Sequence, residues 1–113
     1  MPKHSMDLLQ GTLDLMVLKA LSDEPRHGYS IMRWIREVSG AEFQIEEGAL
    51  YPALHRIEGR GWIEAEWGKS ENNRQAKFYR LTSKGRVQRE VQERSWARYV
   101  GAVARVLEAA AGA

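Results

Sequence analysis

The segment Gly48-Ala49-Leu50-Tyr51-Pro52-Ala53-Leu54-His55-Arg56-Ile57-Glu58 decides the fold of this chain. Its residues Leu50, Leu54 and Ile57 recur at the spacing that places them on one face of a helix. The opposite face carries small and polar residues, namely Gly48, Pro52, His55 and Arg56, flanked by Tyr51 and Ala49. Because proline is tolerated in the first turn of a helix and is costly further in, Pro52 predicts a start near residues 47–49. The helix is predicted to end at Gly59, and its outer face suits close contact with a hydrated surface.

Two more helices are predicted before this segment. Residues 7–21 carry apolar residues at helical spacing, and this first helix ends ahead of Pro25, since the residue before a proline disfavours helical backbone. The second helix runs from about His27 to Ser39, and His27 is expected to fix its start. Residues 42–45 alternate in polarity and predict a short extended segment. Three short helices joined by tight connections are typical of a helix-turn-helix.

After Gly59 the hydrophobic period changes from that of a helix to that of a strand. Ile63, Ala65 and Trp67 alternate with acidic residues, a polar loop covers residues 68–76, and a second alternating run covers residues 77–81. This pattern predicts a β-hairpin with an exposed, basic, asparagine-rich tip. Helix, helix, helix and hairpin is the order of a winged helix-turn-helix. We therefore predict an α+β domain, mostly α, over residues 1–82.

Thr82 is a predicted N-cap for one last, long helix that runs to about Ala110, within a segment 83–113. Its second half carries an apolar stripe at alternating three- and four-residue steps, formed by Trp96, Tyr99, Val100, Val103, Val106, Leu107 and Ala110. A winged helix is already complete by Leu81, so the stripe needs another surface, and a second copy of the chain supplies one. The stripe therefore predicts a homodimer interface. The alternative is that it folds back on the first helix of the same monomer.

Composition excludes several classes of protein. The 113 residues suit one compact domain, and the absence of Cys excludes disulfides and thiolate metal sites. The three histidines, His4, His27 and His55, are scattered, and no glycine-rich phosphate loop is present. We therefore expect no metal, no cofactor and no enzyme activity. No apolar run reaches the roughly 20 residues of a membrane span, and the N-terminus does not look like a signal peptide. A cytoplasmic location without membrane contact is expected.

Charge is unevenly distributed, although the net charge is only +2. Residues 37–66 are predominantly acidic, whereas residues 69–89 contain seven basic residues and one acidic residue, Glu71. A basic segment of this kind offers a polyanion a place to bind, and a solvated basic face would have the same composition. The acidic middle segment would suit a basic protein partner. Two functions follow, a DNA-binding regulator and, as the alternative, a winged-helix module for protein–protein interaction.

If the chain binds DNA, the third helix and the hairpin tip supply the contacts. His55 and Arg56 would reach base edges or phosphates in the major groove, while the alternative for Arg56 is a salt bridge to Glu58 or Glu64. Gly48 and Ala49 would let the N-terminus of the helix approach a phosphate. Tyr51 lies between the faces and suits either core packing or phosphate contact. The hairpin residues predicted to contact DNA are Asn72, Asn73, Arg74 and Lys77. A solvated hairpin tip without DNA contacts would have the same composition.

Four motifs in this order resemble the PadR family of bacterial transcriptional regulators. They are residues 9–15 (LQGTLDL), residues 27–31 (HGYSI), residues 48–58 and residues 77–85 (KFYRLTSKG). The resemblance implies a winged helix whose last helix crosses to the other subunit of a dimer, usually a repressor and often responsive to small aromatic molecules. With a single C-terminal helix, short for the family, the chain is similar to the compact branch of the family. Gln75 and Ala76 interrupt the basic run that family wings often carry, and Phe78 replaces the first tyrosine, which weakens the expected phosphate contact of the wing.

A small aromatic effector is the remaining expectation. Trp67 and Trp96 are candidates to line a cavity between subunits, because flat aromatic faces suit planar guests. The alternative is that these side chains only pack the dimer interface.

Overall fold

A computed structural model describes residues 11–110 of the chain. It contains four helices and a three-stranded antiparallel sheet: α1 (Thr12–Ala20), β1 (Arg26–His27), α2 (Gly28–Val38), α3 (Glu47–Gly59), β2 (Ile63–Lys69), β3 (Gln75–Leu81) and α4 (Ser83–Glu108). Three helices, a hairpin and a long last helix confirm the predicted winged helix-turn-helix. The predicted first helix covered residues 7–21, of which residues 7–10 lie outside the described part.

The hairpin of β2 and β3 carries a short third strand that the sequence did not predict. The strand order is β1-β3-β2, and β1 pairs Arg26 with Tyr79 and His27 with Phe78. In the hairpin itself, the register places Ile63 opposite Leu81. Because β1 leads directly into α2, this pairing fixes the start of α2 against the base of the hairpin.

One hydrophobic core lies beneath all three short helices. Its fully buried side chains include Val17 and Leu18 of α1, Ile31 and Ile35 of α2, and Leu50, Leu54 and Ile57 of α3. Tyr79 and Leu81 of β3 close the core from the sheet side. The predicted inner face of α3 is therefore confirmed, and the burial of this face determines which residues of α3 are left outside.

Side-chain caps fix the starts of α2 and α4 as predicted. The backbone N–H of Ser30 donates to His27 Nδ1 at 3.2 Å, and the N–H of Gly85 donates to Thr82 Oγ1 at 3.0 Å. Thr82 also donates its hydroxyl proton to the carbonyl of Gly61, at 2.6 Å. Each cap satisfies a backbone donor that the first turn of a helix leaves without a partner.

Two local expectations were wrong. The helix α3 begins at Glu47, within the predicted range, but Pro52 then lies in its second turn rather than its first. Pro52 cannot donate to the Gly48 carbonyl, but both residues are exposed, so water can satisfy that group. Residues 42–45 belong to no strand, because Phe43 and Ile45 pack against the core from a connecting segment that has no neighbouring strand to pair with. Within residues 11–110, no helix is both long and apolar enough to cross a membrane.

Candidate nucleic-acid interface

The outermost row of α3 consists of small or polar residues. Gly48, Pro52, His55 and Gly59 are all exposed, and a Cβ atom added at Gly48 or Gly59 would have no neighbour within 4 Å. The inner face of the same helix is fully buried, so this row is the part of α3 farthest from the core. A surface without bulky side chains lets another molecule approach the helix backbone closely.

Tyr51 lies on the flank of α3 that faces the hairpin. Its ring packs over Gly28, where a Cβ atom would lie 2.7 Å from Cζ and would overlap the hydroxyl oxygen. Burial and the nearby Glu47 carboxylate raise the pKa of Tyr51 above its usual value. The side chain is nevertheless 43% exposed. Both roles left open by the sequence are therefore available, since the ring packs while its edge remains accessible.

A groove of about 910 Å³ separates α2 from the hairpin, and Tyr51 lines one end of it. Tyr29 lies exposed on the α2 side, and the Arg33 guanidinium is 5.5 Å above the Tyr29 ring. Across the groove, Arg33 Nη2 is 3.8 Å from Glu71 Oε2 at the hairpin tip. Sequence reasoning missed Tyr29 and Arg33 as site residues. The available signal was the position of Arg33 on the polar face of α2, but that spacing does not reveal the hairpin opposite.

The hairpin tip is a tight turn over residues 70–74. The Ser70 N–H donates to the Arg74 carbonyl at 2.8 Å, and Asn73 adopts a left-handed backbone with φ 60°. Asparagine tolerates that conformation better than most residues, so turn geometry accounts for Asn73. Asn72, Arg74 and Lys77 line the groove. The turn thus places two of the basic side chains predicted for the tip beside Arg33.

Arg56 lies on the opposite flank of α3, against α1. Its Nη2 and Nε atoms donate to the two carboxylate oxygens of Asp14 at 2.6 and 3.3 Å. This hydrogen-bonded pair raises the pKa of Arg56 above its usual value. The salt-bridge partners considered from the sequence, Glu58 and Glu64, were therefore wrong, because the tertiary fold brings a more distant carboxylate closer. The expected DNA contact of Arg56 stays a prediction.

The basic segment of residues 69–89 is divided among several faces. Arg80 pairs with Glu64 at 3.0 Å and with Glu66 at 3.2 Å on the hairpin face away from the core. Arg86 donates to the Ser22 carbonyl. Arg89 pairs with Glu93, one turn along α4. Of the seven basic residues of the segment, Arg74 and Lys77 line the groove, where Arg33 of α2 adds a third positive charge and Glu71 a negative one. Linear charge counting therefore overstated the contribution of the segment.

Trp67 and Trp96 line different cavities in the structure. Trp67 follows Ile63 and Ala65 in the alternation of β2, but it is 64% exposed. The hairpin extends past the core at this point. Trp96 stacks on Tyr99 with ring centroids 6.0 Å apart and borders a depression of about 400 Å³ between α1 and α4. Across the described residues, no group of His, Cys, Asp or Glu side chains could hold a metal ion.

The apolar stripe of α4 is exposed along its length. Val106 and Leu107 are 75 and 78% exposed, and the earlier residues Trp96, Tyr99, Val100 and Val103 are exposed to smaller degrees. The first half of α4 does contact α1, where Lys19 Nζ lies 3.7 Å from Glu93 Oε2. The alternative from the sequence was that the stripe folds back on the first helix. The structure shows contact between α4 and α1, but this contact leaves the stripe exposed.

Comparison with known proteins assigns this arrangement to one family. The sequence model described as "Transcriptional regulator PadR-like family" matches residues 17–91. An uncharacterized protein X of Lysinibacillus sphaericus is 33% identical over 91 residues, covering 80% of this chain and 84% of that protein. An uncharacterized 37.1 kDa protein in a transposon of Streptomyces fradiae is 40% identical over 89 residues, which cover 79% of this chain but only 24% of that protein.

Solved structures share the fold over most of the chain. A PadR-like transcriptional regulator from Bacillus cereus has a TM-score of 0.78 and 27% identity, covering 90% of this chain and 97% of that one. A PadR family regulator from Eggerthella lenta has a TM-score of 0.76 and 29% identity, with 89% and 86% covered. A transcriptional regulator from Clostridium thermocellum has a TM-score of 0.79 and 25% identity, with 88% and 97% covered.

Proposed function

The chain belongs to the PadR-like family of transcriptional regulators, and on that basis we propose that it binds operator sequences in double-stranded DNA as a homodimer and represses transcription. The observation that carries the proposal is the outer row of α3, whose flank borders a groove with three basic side chains. A helix fits the major groove of DNA, and a neighbouring basic groove fits the phosphates beside it.

The proposed contacts come from three elements. On α3 they are Gly48, Ala49, Tyr51, Pro52, His55 and Arg56; on the hairpin, hereafter the wing, they are Asn72, Asn73, Arg74 and Lys77; α2 adds Tyr29 and Arg33. His55 projects from the row nearest the bases and is the candidate for reading sequence. The groove residues contact phosphates, which supply affinity without sequence preference.

The homodimer rests on the exposed stripe of α4. Apolar side chains over several helical turns are costly to leave in water, and a second α4 with the same stripe can cover them. Dimerisation also places two copies of α3 on one duplex, which is how helix-turn-helix proteins read two half-sites about 34 Å apart. We assign the segment 83–113 to this interface and residues 1–82 to DNA binding.

Control by a small aromatic molecule is the finer part of the proposal. The depression beside Trp96 and Tyr99 lies next to the stripe, so a planar guest there would contact the helix that joins the wing to the dimer interface. Phenolic acids titrated into the protein should quench tryptophan fluorescence saturably and release DNA, and Trp96→Ala should abolish both effects. Quenching that is unchanged in Trp96→Ala would remove this site from consideration, since the chain has four tryptophans.

The experiment that tests the function is duplex binding as a function of salt. Affinity for a random-sequence duplex should fall by roughly a thousandfold between 50 and 200 mM salt if about six phosphates are contacted. A protein–protein interaction module would show little affinity for the duplex at any salt concentration. Repression is tested separately with a reporter gene behind the bound sequence, where production of this protein should lower expression, and increased expression would identify an activator.

A further inference from the structure

Two arginines converge on one carboxylate at the α1 flank of α3. Arg56 makes two hydrogen bonds to Asp14, and Arg60 Nη1 lies 3.6 Å from Asp14 Oδ2. The Asp14 side chain is only 16% exposed, whereas those of Arg56 and Arg60 are 47 and 48% exposed. The carboxylate is therefore shielded beneath two guanidinium groups that remain open to solvent, and the cluster keeps a net positive charge.

The cluster is held in place and still has hydrogen-bond donors to offer. A guanidinium carries five N–H donors, and Asp14 accepts two of those of Arg56. The Arg60 guanidinium lies 5.1 Å from the centroid of the Trp62 ring, which restrains it from a second side. Both arginines border an open groove of about 500 Å³. Restrained guanidinium groups lose little conformational freedom when they bind an oxyanion.

From this geometry we propose that Arg56 and Arg60 together bind one backbone phosphate of the DNA strand on the α1 side of α3. The inference rests on the proposed function, because it needs α3 in the major groove. A helix with its side chains is about 10–12 Å wide and the major groove about 12 Å, so phosphates lie along both flanks of a seated helix. Arg33, Arg74 and Lys77 bind phosphates on the wing flank of α3, and the cluster of Arg56 and Arg60 binds a phosphate on the α1 flank.

The ion pair with Asp14 favours a phosphate over a base as the ligand of Arg56. Arg56 follows His55 by one residue and so lies roughly 100° around the helix from it, away from the outermost row. To reach a base edge, its guanidinium would have to leave Asp14. A phosphate can be bound by the outward donors while the pair stays intact, and charge-assisted bonds from arginine to phosphate are strong. Arg56 therefore adds affinity for every duplex rather than sequence preference.

The test compares two variants that change the net charge equally. In Asp14→Asn/Arg56→Gln/Arg60→Gln the whole cluster is neutralised, which avoids leaving Asp14 without a partner. The control is Arg80→Gln, which also removes an arginine paired with carboxylates, but on the hairpin face away from the core. Each variant lowers the formal charge by one. Affinity for a random duplex is measured by fluorescence anisotropy from low to high salt.

The cluster variant should bind roughly tenfold more weakly at low salt, with a salt slope flatter by about 0.9 per protomer, and the control should match the wild type. Circular dichroism shows whether the triple variant folds. If it does not, Arg56→Lys/Arg60→Lys takes its place, and because lysine keeps the charge but not the planar fork of arginine, this variant should lose part of the affinity. A wild type that binds with a steep slope, together with an unchanged cluster variant, would overturn this site and leave the proposed function standing. A wild type without duplex affinity would overturn the function.

Inorganic phosphate, titrated without DNA, tests the other source of the same ligand chemistry. Weak binding, or none, agrees with a site completed only by the neighbouring phosphates of a duplex. Saturable phosphate binding that the triple variant abolishes, combined with unchanged duplex binding by that variant, would show that the site takes free phosphate and would overturn the DNA assignment.

Discussion

Two glycines determine how closely elements of this molecule approach each other. Gly28 leaves the space that the Tyr51 ring occupies, so the start of α2 and the flank of α3 meet without a gap. At Gly85 the approach is to backbone, since a Cβ atom there would overlap the carbonyl oxygen of Trp62 and lie 2.9 Å from its carbonyl carbon. Tyr51 is partly exposed and can move, whereas the Trp62 carbonyl accepts the N–H of Thr82 and is fixed.

Gly85→Ala should therefore lower the free energy of unfolding by about 2–4 kcal/mol, because neither α4 nor the start of β2 can shift without breaking the Thr82 cap. Gly101→Ala is the matched control on the same helix. Its added methyl group would meet only the end of the Arg105 side chain, at 3.6 Å, so stability should rise by about 0.5–1 kcal/mol. Urea unfolding at one fixed protein concentration measures both, and equal effects of the two substitutions would contradict this account.

At the residue scale, the sequence predicted contacts between near neighbours and missed distant ones. Thr82 was identified as a cap, and His27 as the residue that fixes the start of α2, because each lies at the beginning of its helix. The pair of Arg56 and Asp14 joins residues 42 positions apart, and no local spacing encodes it. The approach of Tyr51 to Gly28 was missed for the same reason. The site could thus be predicted as a face of α3 and a wing, but not as a set of partners.

At the level of elements, the hydrophobic periodicity predicted those features that burial in the core determines. The bounds of α3 and the inward face of the sheet follow from alternation of apolar residues that the core buries. The strand β1 has only two residues, too few for any alternation to be detected, and it exists because β3 offers it a partner. The alternation of Ile63, Ala65 and Trp67 indicated one face of β2, but it did not indicate that the core beneath that face ends before Trp67.

In the proposed complex α3 contacts bases and the wing contacts phosphates, so substitutions in the two elements should have different effects. His55→Ala should reduce discrimination between a selected operator and random DNA by about 1–3 kcal/mol, because it removes a candidate base contact. Lys77→Ala should weaken all duplexes alike and flatten the salt slope by about 1, because it removes a phosphate contact. Competition binding with both kinds of duplex measures the difference. The same loss on both duplexes for His55→Ala would reassign His55 to the backbone.

At the scale of the whole molecule, the shape is elongated. The principal extents are 61 × 37 × 21 Å, and α4, at 26 residues, is about 39 Å long. Its first half packs on α1 while its second half exposes the apolar stripe. A stripe of this length predicts that the functional unit is larger than one chain, since one winged helix offers a single copy of α3 and DNA sites are commonly read in pairs.

Val103→Glu/Leu107→Glu should convert the proposed dimer into a monomer, because each carboxylate would be buried in the interface without a partner. Sedimentation velocity measures the change. Val38→Glu/Gln44→Glu provides the control, since it places two glutamates at exposed positions outside the segment 83–113 and should leave the dimer intact. A Val103→Glu/Leu107→Glu variant that still sediments as a dimer would place the interface elsewhere.

The most direct test of the central claim, that this chain reads DNA as a dimer through α3 and the wing, is selection from a library of random duplexes. Sequencing of the bound fraction should reveal an inverted repeat whose half-sites are centred about one helical turn, roughly 34 Å, apart. The Val103→Glu/Leu107→Glu variant should enrich a single half-site at most. Failure of the wild type to enrich any sequence, at salt concentrations low enough for binding, would contradict the account.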